Sequence, residues 1–312
     1  MDIFMTTFEA VAALLFIGIV GFYVISRRVL PENAISILAT VAIDISLPAL
    51  IFANIITSFD PHSMPNWWRL PIYFLLMSVA GFVATSLLTF LMRPKNKNEF
   101  AATLFYQNAV FFPIAIISSG EGMQELLVLL FFFTLIFSPL FFTTAPFFFK
   151  SSGKRISKTK LVNPILMATI LAIGFVFTGL DRFTPEFVID SLHLVGKMSA
   201  PVLMMILGGS IYIDYKQRGK VEIFEIVKFV FAKNIIFPSI MICFIGLVKP
   251  SYAMGFMLIL QAAVPPITSL PVVASRCGGN SKIINQFMVS SFLASLITIP
   301  IFVAIFEKLY TN

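Results

Sequence analysis

Two stretches decide how this chain is read: Tyr106-Gln107-Asn108-Ala109-Val110-Phe111-Phe112-Pro113 and Gln261-Ala262-Ala263-Val264-Pro265-Pro266-Ile267-Thr268-Ser269-Leu270-Pro271. Each lies inside an apolar run about the length of a membrane span. Each carries an amide side chain, Asn108 or Gln261, followed five residues later by a proline, Pro113 or Pro266. Proline removes a backbone donor and pushes the preceding residue toward extended geometry, so both runs are expected to be interrupted helices. Proline also suits the first position of a new half-helix. In lipid, unpaired backbone groups survive only where protein or water satisfies them, so both breaks should face the interior or a cavity. Two half-helix N-termini would then aim free N–H groups and positive dipole ends at one spot, which favours a small organic anion. The candidate binding residues are Asn108, Pro113, Gln261, Pro265, Pro266 and Thr268, the amides being able to donate to a carboxylate. The alternative is that the prolines only kink their helices.

The rest of the chain supplies the setting. Of 312 residues, 58% are apolar and 12% charged, against roughly 45–50% and 25% in soluble domains. Mean hydropathy is +0.95. These values exclude a soluble domain, a disordered chain and a disulfide-stapled module. Continuous apolar runs also exclude a transmembrane β-barrel, whose strands alternate. The reading is an all-α polytopic membrane protein with ten spans, at 8–27, 36–58, 71–92, 100–119, 124–149, 162–179, 187–213, 223–247, 252–275 and 283–306. Cys243 and Cys277 form no framework. Met1 to Ala10, with Asp2 and Glu9 and no basic run, does not read as a cleavable signal.

Charge sets the orientation. Of the 22 Lys and Arg, 15 fall in loops on one side, from Arg27-Arg28 through Lys150–Lys160 to Lys282, and four on the other. The positive-inside bias places both termini outside and the 150–161 loop in the cytoplasm of a cell (inner) membrane. Trp67 and Trp68 fall in an outer loop, as interfacial anchors should. The net charge of +7 then reflects basic loops and not nucleic-acid binding.

The two halves superpose at one offset of 153 residues. Gly21-Phe22 falls on Gly174-Phe175, Asp44 on Lys197, Pro48 on Pro201, Asn108-Ala109 on Gln261-Ala262, and Pro113 on Pro266. The expected organisation is therefore a first five-helix repeat at 1–149, a linker at 150–161 and a second repeat at 162–312. An odd number of spans per half inverts the second against the first, an architecture of secondary transporters.

Asp44 and Lys197 stand near mid-depth, each four residues before an aligned proline, and are expected to form an ion pair inside the bundle. The functional version makes Asp44 a proton or sodium coupling site; the structural version is a fixed pair. Lys228 reads as a snorkelling side chain. Lys233, followed by Asn234, is deeper, and a cation there could complement a substrate carboxylate. His62 and His193 have no metal-ligand spacing, and neither HExxH nor GxSxG occurs. No metal, no resident cofactor and no enzymatic activity are expected.

The sequence resembles the auxin efflux carrier family, which includes plant auxin carriers and bacterial malate or malonate permeases. The resemblance rests on Leu47-Pro48-Ala49-Leu50-Ile51-Phe52, the Asn108…Pro113 break, Asn163-Pro164, Pro201…Leu207-Gly208-Gly209, Ala263-Val264-Pro265-Pro266, Ala274 and Cys277-Gly278-Gly279-Asn280. It implies a carrier with two inverted five-helix repeats, similar to sodium/bile-acid and sodium/proton transporters. Spans 1, 2, 6 and 7 would form a scaffold, and spans 3–5 and 8–10 an elevator-like transport domain. Broken helices 4 and 9 would cross at the substrate, with Asn108, Pro113, Pro265 and Pro266 as site residues. It further implies a homodimer through the scaffold. Phe111-Phe112 departs from the small residues expected before Pro113. The expected activity is transport of a small organic anion by alternating access. The alternatives are a non-transporting sensor for the same kind of anion, or a channel.

Overall fold

The structure is a computed structural model that describes residues 3–62, 64–119, 124–149, 164–216 and 221–311. The basic 150–161 segment and Asn163 lie outside the described residues. Every regular element described is helical: α1 (Ile3–Ser26), α2 (Ala34–Ser58), α3 (Arg69–Met92), α4 (Lys97–Phe105), α5 (Phe111–Ser119), α6 (Gln124–Phe133) and α7 (Phe137–Phe148) in the first half. The second half holds α8 (Pro164–Thr178), α9 (Glu186–Lys197), α10 (Ser199–Lys216), α11 (Ile223–Val248), α12 (Tyr252–Ala263), α13 (Leu270–Arg276) and α14 (Ser281–Thr311).

Six helical stretches among the described residues are long and apolar enough to cross a bilayer: α1, α2, α3, α9 with α10, α11, and α14. The protein is a polytopic membrane protein. The segments between them consist of shorter pieces. The 124–149 run, expected to be one helix, is two. Pro139, in the first turn of α7, has no N–H to give to the carbonyl four residues back, so the chain turns at Thr134–Ile136 before α7 starts.

Two long helices contain a π-helical turn, Val41–Ser46 in α2 and Phe231–Ile236 in α11. Pro48 and Pro238 follow these turns closely. Each lacks the N–H that an α-helical ladder would use, and a wider turn absorbs the mismatch. The π turn of α2 contains Asp44, and its repeat mate Lys197 ends α9 just before α10.

Close packing follows small residues. α1 lies along α10, α2 along α8 and α9, and α1 also meets α14 and α5. A Cβ on Gly208 would stand 1.7 Å from the Gly18 carbonyl oxygen, and one on Gly21 would stand 2.1 Å from that of Met205. Backbone therefore touches backbone there, the arrangement small residues permit in membrane helices. Phenylalanine fills the wider gaps: Phe100, Phe229 and Phe287 pack as one cluster with centroids 4.6–5.8 Å apart. Trp67 is half-buried against Phe59 and Phe132, while Trp68 is exposed with the Arg69 guanidinium 5.2 Å from its ring centroid.

Candidate functional site

α4 stops at Phe105 and α12 at Ala263, and the chain after each is extended: Tyr106 has φ −89 and ψ 98, Val264 φ −67 and ψ 148. The two extended stretches meet antiparallel, with Gln107 opposite Pro266. Asn108 N donates to the Pro265 carbonyl at 2.7 Å, and Ile267 N to the Tyr106 carbonyl at 2.9 Å. Both bonds come from residues flanking the opposed pair. Pro266 therefore occupies a position where no N–H is needed, which is why a proline can sit in this ladder. A further stitch runs from Gln261 Nε2 to the Ala109 carbonyl at 2.7 Å. The first and second halves of the chain are thus joined by main-chain pairing at the crossing.

The prolines act differently from one another. The first break falls at Tyr106–Val110, upstream of Pro113, which is buried in the first turn of α5 where the missing N–H has no helical partner to lose. Pro265 and Pro266 are buried in the crossing itself, and Pro271 enters the first turn of α13. Thr268 is half-buried in the turn between them. The expectation of a proline at the first position of each half-helix is corrected by one or more residues in both cases.

Asn108 is 1% exposed. Its Oδ1 accepts from Phe111 N at 3.2 Å and so caps α5, while its Nδ2 is buried with no hydrogen-bond partner. Phe112, the aromatic residue that departs from the small side chain expected there, packs on Phe292 with centroids 4.9 Å apart.

Gln107, one residue away, lines a cavity of about 720 Å³ between α3, α11 and α12. Gln261 and Ala262 share its floor, and Gln107 Nε2 lies 3.4 Å from Gln261 Oε1. Lys233 also lines it. This side chain is 1% exposed, its Nζ lies 5.4 Å from the Phe237 ring centroid, and it forms no ion pair among the described residues. Its neighbour Asn234 faces the other way, donating to the Ser291 carbonyl at 3.1 Å and Ser295 Oγ at 3.2 Å, while Ser291 Oγ donates back at 2.8 Å. The π turn delivers this split, one polar neighbour to the cavity and one to α14.

Asp44 and Lys197 do not form the expected pair. Both side chains are exposed and no salt bridge joins them. The helices that carry them do pack together, but through their neighbours. Gly196 is the contact residue, and a Cβ there would meet Leu50 at 2.7 Å. One residue further along, Lys197 is turned about 100° off that contact. Ala42, Ser46 and Leu47 are the buried residues around Asp44. Lys228 sits near the start of α11, paired with Glu225 at 3.0 Å and 4.6 Å from the Phe224 ring centroid. Glu225 also accepts from Lys95 N, and Lys95 pairs with Glu222. Among the described residues no three His, Cys, Asp or Glu stand close enough to hold a metal ion.

Gln107, Tyr106 and the serines that hold Asn234 escape the sequence reading. Gln107 was hidden because only the register of the crossing makes it a wall of the cavity. The Asn234, Ser291 and Ser295 cluster had a signal: serines four apart in an otherwise apolar run. Tyr106 is fixed by a hydroxyl contact of 2.6 Å with Thr144 on α7.

Two helices interrupted at one buried, hydrogen-bonded crossing inside a polytopic bundle form an architecture found in membrane transport proteins. The family model described as "Membrane transport protein" matches residues 6–160 and again residues 148–303. The chain belongs to this family, that of the auxin efflux carriers. It is also similar to an uncharacterized transporter of Methanocaldococcus jannaschii, 27% identical over 217 residues, covering 66% of this chain and 70% of that protein.

Proposed function

We propose that the protein is a secondary transporter that carries a small organic anion by alternating access, with the anion held where the extended stretches cross. The observation that carries this reading is the unpartnered Nδ2 of Asn108. A buried donor left unpaired costs free energy, and this one stands at the N-terminal end of α5, where an anion is favoured. A carboxylate would satisfy it. Pro113, Pro265, Pro266 and Thr268 shape the same turn, and Gln261 fixes it. Lys233 complements the charge from the cavity side.

In this reading the chain has ten spans in two inverted repeats. The scaffold comprises α1, α2, α8, α9 and α10, and the transport domain comprises α3 to α7 and α11 to α14, moving as an elevator. Both termini lie outside a cell membrane and the 150–161 segment inside. Exposed charges at mid-depth are disfavoured by lipid, so a second copy covering Asp44 and Lys197 on the scaffold face makes the carrier a homodimer. Protons or sodium remain the candidate coupling ions, with Asp44 the acidic residue deep in a span.

Tracer counterflow in proteoliposomes tests the reading with malate, malonate, acetate and indole-3-acetate. Saturable exchange of one of them, lost in Asn108→Ala, is expected. No exchange of any of the four by inserted, folded protein would remove these acids as substrates and turn the weight toward a binding role without transport.

A further inference from the structure

The cavity beside the crossing has a chemistry of its own. The wall from α3 is Tyr73, Leu76, Met77 and Gly81, and the wall from α11 is Phe237, Ile240, Met241 and Phe244. The stretch of α11 from Lys233 to Val248 spans about 22 Å, so the cavity runs from the crossing to the end of that helix. Leu76, Ile240, Phe244 and Val248 are at once lining and exposed on the flank of the bundle. The mouth therefore opens sideways between two membrane-spanning helices, toward lipid. At the start of the α11 wall stands Lys233, nine-tenths buried and more, without a counter-charge among the described residues.

We propose that this cavity is a membrane-facing binding site for a singly charged anion with an apolar body, whose charged group pairs with Lys233 while the body lies between α3 and α11. The charge count carries the choice. Lys233 and Tyr73 are the titratable residues lining the cavity. The elements packed on the π turn add none at that depth: α14 carries no charged residue between Lys282 and Glu307, and α12 none at all. Glu225 and Lys228, on α11 itself, are already paired. A lone buried ammonium needs one negative charge and can satisfy only one. The second carboxylate of a dianion would lie unpaired against Phe, Met and Leu side chains. Gln107 and Gln261 also line the cavity, and each amide nitrogen keeps a second N–H for a carboxylate oxygen beyond its bond to Gln261 Oε1 or the Ala109 carbonyl. The inference deepens the carrier reading and rests on it for what happens after binding; binding itself is tested separately.

The probe is radiolabelled octanoate, measured at equilibrium on the full chain in nanodiscs, with empty nanodiscs subtracted. Unlabelled octanoate, octanamide and malonate compete. Octanoate is expected to bind saturably, and neither its neutral amide nor malonate should displace it. Lys233→Met should weaken binding at least ~30-fold, as loss of one partner of a buried charge pair does. The same variant should raise the melting temperature of the empty protein, because an apolar side chain replaces a buried polar group that has no ion-pair partner among the described residues; a structural lysine would lower it. Gly81→Leu provides an arm that keeps Lys233. A Cβ at Gly81 meets nothing nearer than Phe105 at 4.0 Å, so the longer side chain fills the cavity and blocks octanoate. Competition by malonate equal to that of octanoate, or octanoate binding unchanged in both variants, would overturn the proposal. If Lys233→Met does not fold, Gly81→Leu decides. Octanoate binding without any exchange would keep this site and reject the carrier. Asn108-dependent exchange of another anion with no octanoate binding would do the reverse.

Discussion

Asn108 and Gln261 are repeat mates that do different work, and substitution should separate them. Gln261 donates to the Ala109 carbonyl across the crossing. Gln261→Ala leaves that buried carbonyl without its side-chain donor, which should cost about 1–3 kcal/mol and lower the melting temperature in detergent. Asn108→Ala removes an α5 cap worth about 1 kcal/mol, but it also deletes the unpaired Nδ2, so the melting temperature should barely move. Anion exchange should nevertheless vanish. A large loss of stability in Asn108→Ala with exchange retained would mean that this amide is structural. Both amides were legible in the sequence because a polar side chain in an apolar run is conspicuous. The residues that sequence reading misplaced were the charges. Asp44 and Lys197 stand at matching depth, but depth says nothing about which way a helix faces, and Gly196 takes the contact that Lys197 was expected to make.

At the scale of the helix, small residues show where pseudo-symmetry stops. Gly21 and Gly174 align in the repeat, yet a Cβ on Gly21 collides with the α10 backbone and one on Gly174 meets nothing within 4 Å. Gly208, in turn, touches the α1 backbone. Gly208→Val should therefore separate α1 from α10 and cost more than the ~1–3 kcal/mol typical of overpacking, since backbone and not a pliable side chain is in the way. Gly174→Val should stay within about 1 kcal/mol of the parent. Thermal unfolding of the two variants checks this, and equal losses would refute the packing argument. The interrupted fourth and ninth segments are readable from their prolines, although the first break sits upstream of Pro113 while the second contains Pro265 and Pro266. The division of the fifth into α6 and α7 is not legible in hydropathy, because the run 124–149 stays apolar across Pro139. The π turns are equally hidden, since Pro48 and Pro238 announce a fault in the helix but not that a turn wider by one residue, and not a kink, absorbs it.

For the whole molecule, the argument turns on sidedness. Main-chain pairing at the crossing joins the two halves, but pairing alone does not say whether they run through the membrane in the same or opposite sense. On the proposed ten-span reading charge does: basic residues crowd the loops of one face, and an odd number of spans per half would place repeat mates on opposite faces. His62 and Tyr215 are such mates, 153 residues apart, and both side chains are exposed. In a background with Cys243 and Cys277 replaced by alanine, His62→Cys should react with a membrane-impermeant maleimide on intact cells. Tyr215→Cys and Ser157→Cys should react only after permeabilisation. Labelling of all three from outside would break the inversion and with it the symmetry that lets two halves exchange an inward-open for an outward-open form. The reverse pattern, His62→Cys protected and the other two accessible, would keep the inversion and turn the protein over. The basic loops would then face outward against the positive-inside bias, and the mouth between α3 and α11 would open toward the inner leaflet.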